Sequence, residues 1–143
     1  PQMCQEFSAV YLQEVIEAVR DDSFMVILHN CGRTEKQVAA LLSTGADALH
    51  LGNAVDICSI LPRIPEHVLL MGNLDPVNVF KNMTESQVYE ITLELLGKTA
   101  AYKNYVLSSG CDLPPAVPME NIFAFLGALK TYNHNTEKDH DEL

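Results

Sequence analysis

Basic residues are scarce in this sequence. Lysine and arginine number 9 against 19 aspartates and glutamates, for a formal charge of -10 and a sequence pI near 4.7. A protein that neutralises phosphates or lies on an anionic membrane needs a basic patch, so this balance argues against nucleic acid or a membrane surface as a partner. Long apolar runs are also missing, and no stretch approaches the ~20 residues needed to cross a bilayer. Nothing resembling a signal peptide opens the chain, and cysteine is confined to Cys4, Cys31, Cys58 and Cys111. A chain that is 48% hydrophobic does not need disulfide staples, so free thiols and a cytoplasmic protein are expected. His140-Asp141-Glu142-Leu143 spells an endoplasmic-reticulum retention signal, which has meaning only in a secreted eukaryotic protein and is read here as chance. Two absences bear on the fold. Hairpin signals do not separate the apolar runs, and Cys31-Gly32-Arg33 follows the first strand where an open nucleotide-binding sheet would more often carry a glycine-rich phosphate turn.

What is present is a repeated strand, loop and helix within 143 residues, one domain by length. Leu12, Val15, Ile16 and Val19 line one face of a helix over residues 7–19. The apolar run Phe24-Met25-Val26-Ile27-Leu28 then predicts a strand buried on both faces, as in a parallel sheet. Thr34 with Gln37 reads as a capping box for a helix whose inner face is Val38, Ala39, Leu41 and Leu42 and which Gly45 stops. The unit recurs with a strand at 46–51, a turn at Gly52-Asn53 and a short helix at 55–61 ended by Pro62. A third strand at 68–71 leads into the loop Gly72-Asn73-Leu74-Asp75-Pro76 and a long helix capped by Thr84 and Gln87, with Val88, Ile91, Leu95 and Leu96 inward. A fourth strand at 105–107 precedes a helix over 118–129, and a polar, frayed tail is expected over 133–143. Four such units imply a parallel sheet with right-handed crossovers: an α/β fold, either open and doubly wound or half of a (β/α)8 TIM barrel.

The chemistry concentrates at strand ends. If the first strand runs on through His29-Asn30-Cys31, His29 and Cys31 project together, a borderline-soft imidazole beside a soft thiolate that suits zinc. Buried cysteines and satisfied histidines are ordinary, so this pair alone is a weak signal. Cys111 ends the fourth strand in the same way, and parallel strands bring their carboxyl ends to one side. His29, Cys31 and Cys111 would then be three protein ligands with a fourth position open, the arrangement of a catalytic zinc, with donor atoms roughly 3 to 4 Å apart. Asn73 and Asp75 sit in a strand-end loop and could orient a substrate, but Asn-x-Asp-Pro equally makes a self-bonded turn. Ser108 and Ser109 could donate to a ligand sulfur or simply be small where the mouth is crowded. Cys4 and Cys58 are read as non-ligands, His67 as a surface residue, and His134 and His140 as part of the tail.

Four ordered motifs carry a resemblance. His29-Asn30-Cys31-Gly32, then 44–48 (Thr-Gly-Ala-Asp-Ala), then 71–76 (Met-Gly-Asn-Leu-Asp-Pro), then 109–115 with 118–122 resemble the carboxyl-terminal half of the uroporphyrinogen decarboxylase superfamily over roughly residues 7–132. The His-x-Cys and the distant cysteine are most similar to the corrinoid-dependent, methylcobamide:coenzyme M methyltransferase-like branch. That resemblance implies a (β/α)8 barrel in which zinc on His29, Cys31 and Cys111 holds a thiol substrate as thiolate, which takes a methyl group from a methylated corrinoid (methylcobalamin) on a partner protein. It assigns no separate catalytic residue. Two departures stand out. The decarboxylases lack these cysteines and use amino-terminal arginine and acidic residues outside this chain; and where related methyltransferases often carry an acidic residue, Gly52-Asn53 stands here, which leaves a fourth ligand open, with His50 too early in the motif to assume as a substitute. A half-barrel exposes sheet edges, so a missing amino-terminal half or self-association as a dimer is expected. The alternatives are a non-catalytic, incomplete half-barrel and a decarboxylase-type lyase completed by its other half.

Overall fold

The computed structural model describes the backbone of residues 1–141 and the side-chain environments of residues 1–136. The retention-like tetrapeptide at the terminus lies outside the described side chains. The elements run in the order α1 (Gln2–Cys4), a π-helical turn (Gln5–Ala9), α2 (Val10–Val19), β1 (Ile27–Asn30), α3 (Val38–Leu42), β2 (Ala48–Leu51), α4 (Ile57–Ile60) with a 3-10 turn (Leu61–Arg63), β3 (Leu69–Leu74), α5 (Glu85–Thr99), β4 (Tyr105–Ser109) and α6 (Met119–Asp141). Backbone contacts divide the chain into two compact units, Pro1–Asn73 with Tyr102–Cys111, and Leu74–Ala101 with Asp112–Leu143.

The first unit is built on a parallel four-stranded sheet in the order β1-β2-β3-β4. Its register is direct: Ile27 faces Ala48, His29 faces His50, and His50 in turn faces Met71. Because side chains alternate along a strand, Leu49, Leu51, Leu70 and Gly72 share one buried face, while Ile27, His29, His50, Leu69 and Met71 share the other, which is exposed or half-buried at each of them. The buried face belongs to the core of Leu49, Leu51, Ile57, Ile60, Leu61 and Leu70, each at most 2% exposed. Asn104 ties the start of β4 to this core by donating to the carbonyls of Pro65 and Val68 and accepting at its own carbonyl from the Leu70 amide.

Several expectations are corrected here. The run before His29 is not buried on both faces: Phe24, Met25 and Ile27 are about half exposed, and Ile27 lies on the sheet face that is also only half-buried at His50 and Met71. On the first helix only Ile16 of the expected inner face is buried, with Ala9 beside it, while Val15 and Val19 are exposed. Thr34 does not cap α3. The Gln37 amide bonds to the Thr34 carbonyl, the helix starts at Val38, and the buried Thr34 hydroxyl has no partner among the described residues. Ala39 of its expected inner face is exposed. The third strand extends through Gly72-Asn73-Leu74, read from the sequence as loop, and contains a cis peptide between Gly72 and Asn73.

The second unit pairs α5 with α6. The capping box at the start of α5 forms as expected, with the Thr84 hydroxyl accepting from the Gln87 amide and the Gln87 side chain from the Thr84 amide. Val79, Val88 and Ala124 form a buried cluster, and Phe80 and Phe125 pack with ring centroids 5.1 Å apart. Asn121, 2% exposed, donates to the carbonyls of Phe80 and Met83, so its amide fastens the first turn of α6 to the segment before α5. The helix continues to Asp141, taking in most of the stretch expected as a tail.

Candidate metal centre

His29 lies in β1 directly beside His50 of β2, and the register alone brings their rings to 4.6 Å between centroids. Strand β1 stops at Asn30, whose side-chain oxygen accepts from the Gly32 amide at 2.8 Å and turns the backbone. That turn, rather than strand alternation, sets Cys31 Sγ 2.7 Å from His29 Nε2. The loop after β2 passes close behind it, since a methyl group on Gly52 would stand 2.8 Å from the Cys31 Cα. From the other end of the sheet, β4 finishes at Ser109 and Gly110 packs against Asn53 so tightly that a Cβ there would lie 2.6 Å from the Asn53 nitrogen. The Ser109 hydroxyl donates to the Cys111 carbonyl at 2.8 Å, which closes the turn that presents the thiol.

The two sulfurs are 3.3 Å apart, and Cys111 Sγ is 3.7 Å from His29 Nε2. Among the described residues these three form the one group of at least three His, Cys, Asp or Glu side chains arranged to hold a metal, their donor atoms all within 4.8 Å of one another. Imidazole with two thiols is a donor set of the kind zinc takes, and a tetrahedral ion with Zn–S near 2.3 Å separates its donors by roughly 3.5 to 3.8 Å. Two of the three edges lie close to that range. The third, between His29 and Cys31, is a hydrogen-bond distance. His29 and Cys31 are exposed and Cys111 is half-buried, so the donors are accessible from one side.

The remaining candidates separate from this cluster. Asn73 donates to the carbonyls of Gly52 and Val55, so its amide braces the loop behind Cys31. Asp75 accepts from the amides of Val77 and Asn78 and from the Asn78 side chain, the self-bonded turn that its sequence also allows, and it belongs to the second unit. Ser109 bonds to backbone rather than to sulfur. Cys4 and Cys58 are free thiols in α1 and α4, outside the donor cluster, and His67 and His134 are exposed. Sequence reasoning set His50 aside as a fourth ligand, read Gly52 only as part of a turn, and gave Gly110 no role of its own. The first could have been found from the matching position of His29 and His50 on successive strands, and the glycines from their places immediately after β2 and before Cys111.

The matching family profile is that of uroporphyrinogen decarboxylase (URO-D), over residues 1–132. The chain belongs to the URO-D family. It is 25% identical over 130 residues to the methylcobamide:CoM methyltransferase MtbA of Methanosarcina mazei, covering 91% of this chain and 37% of that protein. It is 30% identical over 140 residues to the uroporphyrinogen decarboxylase of Prochlorococcus marinus strain NATL1A, covering 93% of this chain and 37% of that one. A solved methyltransferase from Methanosarcina mazei superposes with a TM-score of 0.79 at 20% identity, over 93% of this chain and 38% of the solved one. The URO-D chain therefore spans under two fifths of the length of these relatives. The fold is settled as α/β, four parallel β/α units corresponding to half of a TIM barrel. The named relatives are enzymes, and no helix among the described residues is long and apolar enough to cross a membrane.

Proposed function

We propose that this chain is the zinc-bearing half of a methyltransferase that moves a methyl group from a methylated corrinoid to a thiol. The observation that carries the reading is the convergence of His29 Nε2, Cys31 Sγ and Cys111 Sγ, which follow the two edge strands of one sheet, with chemistry that fits zinc and two of three spacings close to those of a tetrahedral ion. Bound there, zinc would supply a Lewis acid that holds a substrate thiol as thiolate near neutral pH while leaving its sulfur nucleophilic. The protein's own contribution is positional. Three ligands leave a fourth position for the substrate, and the exposure of His29 and Cys31 leaves room for a large methyl donor to approach from the open face. In the overall exchange a sulfur–carbon bond forms as the bond between methyl and corrinoid breaks.

The partners that follow are a corrinoid-carrying protein, in cytoplasm, and something to cover β1. The exposed row Met3, Phe7, Tyr11, Val15 and Val19 along the first helix, with Ile27 on the edge strand, is an apolar surface on which a second copy or the rest of a barrel-sized protein would pack. Sedimentation of this chain is expected to show association, and a well-folded monomer would count against it. The metal is tested by elemental analysis: one zinc per chain, lost in Cys31→Ala and Cys111→Ala, supports the proposal, and a folded protein that ignores added zinc overturns it. Methyl transfer from methylcobalamin to a thiol, assayed on this chain and on a longer parent, separates an active half from a non-catalytic one. The second reading, a decarboxylase-type lyase, draws on the 30% identity to a uroporphyrinogen decarboxylase and predicts turnover of uroporphyrinogen without metal.

A further inference from the structure

Among the described residues His50 is the side chain hydrogen-bonded to His29 Nδ1, and with both rings neutral its two bonds take one polarity. Its Nε2 lies 2.7 Å from the Ser109 carbonyl, which can only accept, so the proton on that bond belongs to His50. A neutral imidazole carries one N–H, so His50 Nδ1 is then an acceptor. It faces His29 Nδ1 at 3.0 Å, and the proton between them must therefore sit on His29. With Nδ1 protonated, neutral His29 has its lone pair on Nε2, the nitrogen 2.7 Å from Cys31 Sγ and 3.7 Å from Cys111 Sγ. Donation thus runs from His29 on β1 through His50 on β2 to the carbonyl at the end of β4, and it leaves the His29 Nε2 lone pair aimed at the two sulfurs.

We infer that His50 is a positioning residue rather than a ligand: by accepting from His29 Nδ1 and donating to the Ser109 carbonyl it holds the His29 ring in the tautomer and orientation that a metal requires. The inference rests on the zinc reading proposed above. Histidine ligands commonly donate their second N–H to a carboxylate or carbonyl, and losing that outer partner typically lowers metal affinity about 10- to 100-fold. Here a second imidazole does this work, and the strand register supplies it, because His29 and His50 are direct neighbours in the parallel pair. The same contact binds both halves of the donor set, since Ser109, which accepts from His50, also donates to the Cys111 carbonyl.

Nitrogen-15 NMR of the histidine rings in the metal-free protein tests the inference without any activity measurement. The expected result is His29 protonated at Nδ1 in the native chain, and protonation at Nε2 there overturns it. His50→Phe keeps a ring but neither hydrogen bond, and His50→Gln offers an acceptor and a donor on neighbouring atoms. Zinc affinity, measured by competition with a chromophoric chelator, is expected to fall about 10- to 100-fold in His50→Phe and to return to within about threefold of native in His50→Gln. Equal affinity in His50→Phe and native protein overturns the role, as does an equal loss in a folded His50→Gln. A native chain with the expected His29 tautomer but no zinc binding would instead overturn the metal reading, so the two failures are distinguishable.

Discussion

Gly52→Ala places one methyl group against the backbone that carries Cys31. Built on the present backbone, the new Cβ lies 2.8 Å from Cys31 Cα, 3.0 Å from its carbonyl oxygen and 3.1 Å from its carbonyl carbon, all main-chain atoms that no rotamer change can move away. Ordinary contact begins at 3.4 Å, so the two loops must separate by roughly 0.6 Å. Overpacking of this kind costs about 1 to 3 kcal/mol, and the displacement falls on the residue whose sulfur is 2.7 Å from His29 Nε2 and 3.3 Å from Cys111 Sγ. A ligand moved by about half an ångström from its productive position is outside the tolerance of a preorganised site. Gly52→Ala should therefore lower the urea midpoint and reduce zinc affinity by about tenfold or more, which is about 1.4 kcal/mol. Gly97→Ala in α5 is the control: a Cβ there meets nothing within 4 Å, and replacing an exposed helical glycine should stabilise by about 0.5 to 1 kcal/mol with zinc affinity unchanged. Urea unfolding and chelator competition on the two variants decide the matter. Native stability and native affinity in Gly52→Ala would refute the argument that close approach of the two loops positions Cys31.

Three further outcomes are expected. Thr84→Ala removes the hydroxyl half of the capping box on α5 and should cost about 1 kcal/mol in denaturant unfolding, with zinc affinity untouched. Cys31 and Cys111, with sulfurs 3.3 Å apart, should form a disulfide when the metal-free protein is treated with oxidised glutathione, two thiols being oxidised as glutathione is reduced; saturating zinc should prevent it, and thiol counts that ignore zinc would speak against a shared site. Burial pushes the Tyr105 phenol well above its ordinary range, with Cys58 adding to the shift, and its hydroxyl donates to the Gly72 carbonyl. The unfolded tyrosine ionises near pH 10, so stability from this group is present below about pH 10 and falls as pH rises above it. In a spectrophotometric titration of the 5 tyrosines, one should lag behind the rest and recover only on unfolding, and a single common titration would contradict its burial.

How the site is assembled separates what was legible from what was not. The candidate donors are readable as residue types: an imidazole and a thiol two residues apart at the end of one apolar run, and a second thiol at the end of another, are chemically suggestive wherever the chain takes them. The means of bringing them together is not legible in the sequence. Alternation along a continued strand was expected to align His29 with Cys31, whereas the Asn30 side chain ends the strand and a turn does the aligning. The open face of β1 is likewise hidden, because an apolar run reads the same whether its second face meets protein or stays open.

By itself the sequence determined the alternation of strands and helices, the capping box at Thr84, the α/β class and the residue types able to hold a metal. Each depends on periodicity or chemistry within a few residues of chain. Only the tertiary structure decided that Cys31 and Cys111, 80 positions apart, stand 3.3 Å from each other, and that His50 is hydrogen-bonded to a member of the candidate donor set. The physical reason is that those facts depend on strand register and on glycines that let two loops touch. Both are properties of pairs of segments, and neither leaves a mark in the local pattern of either segment alone.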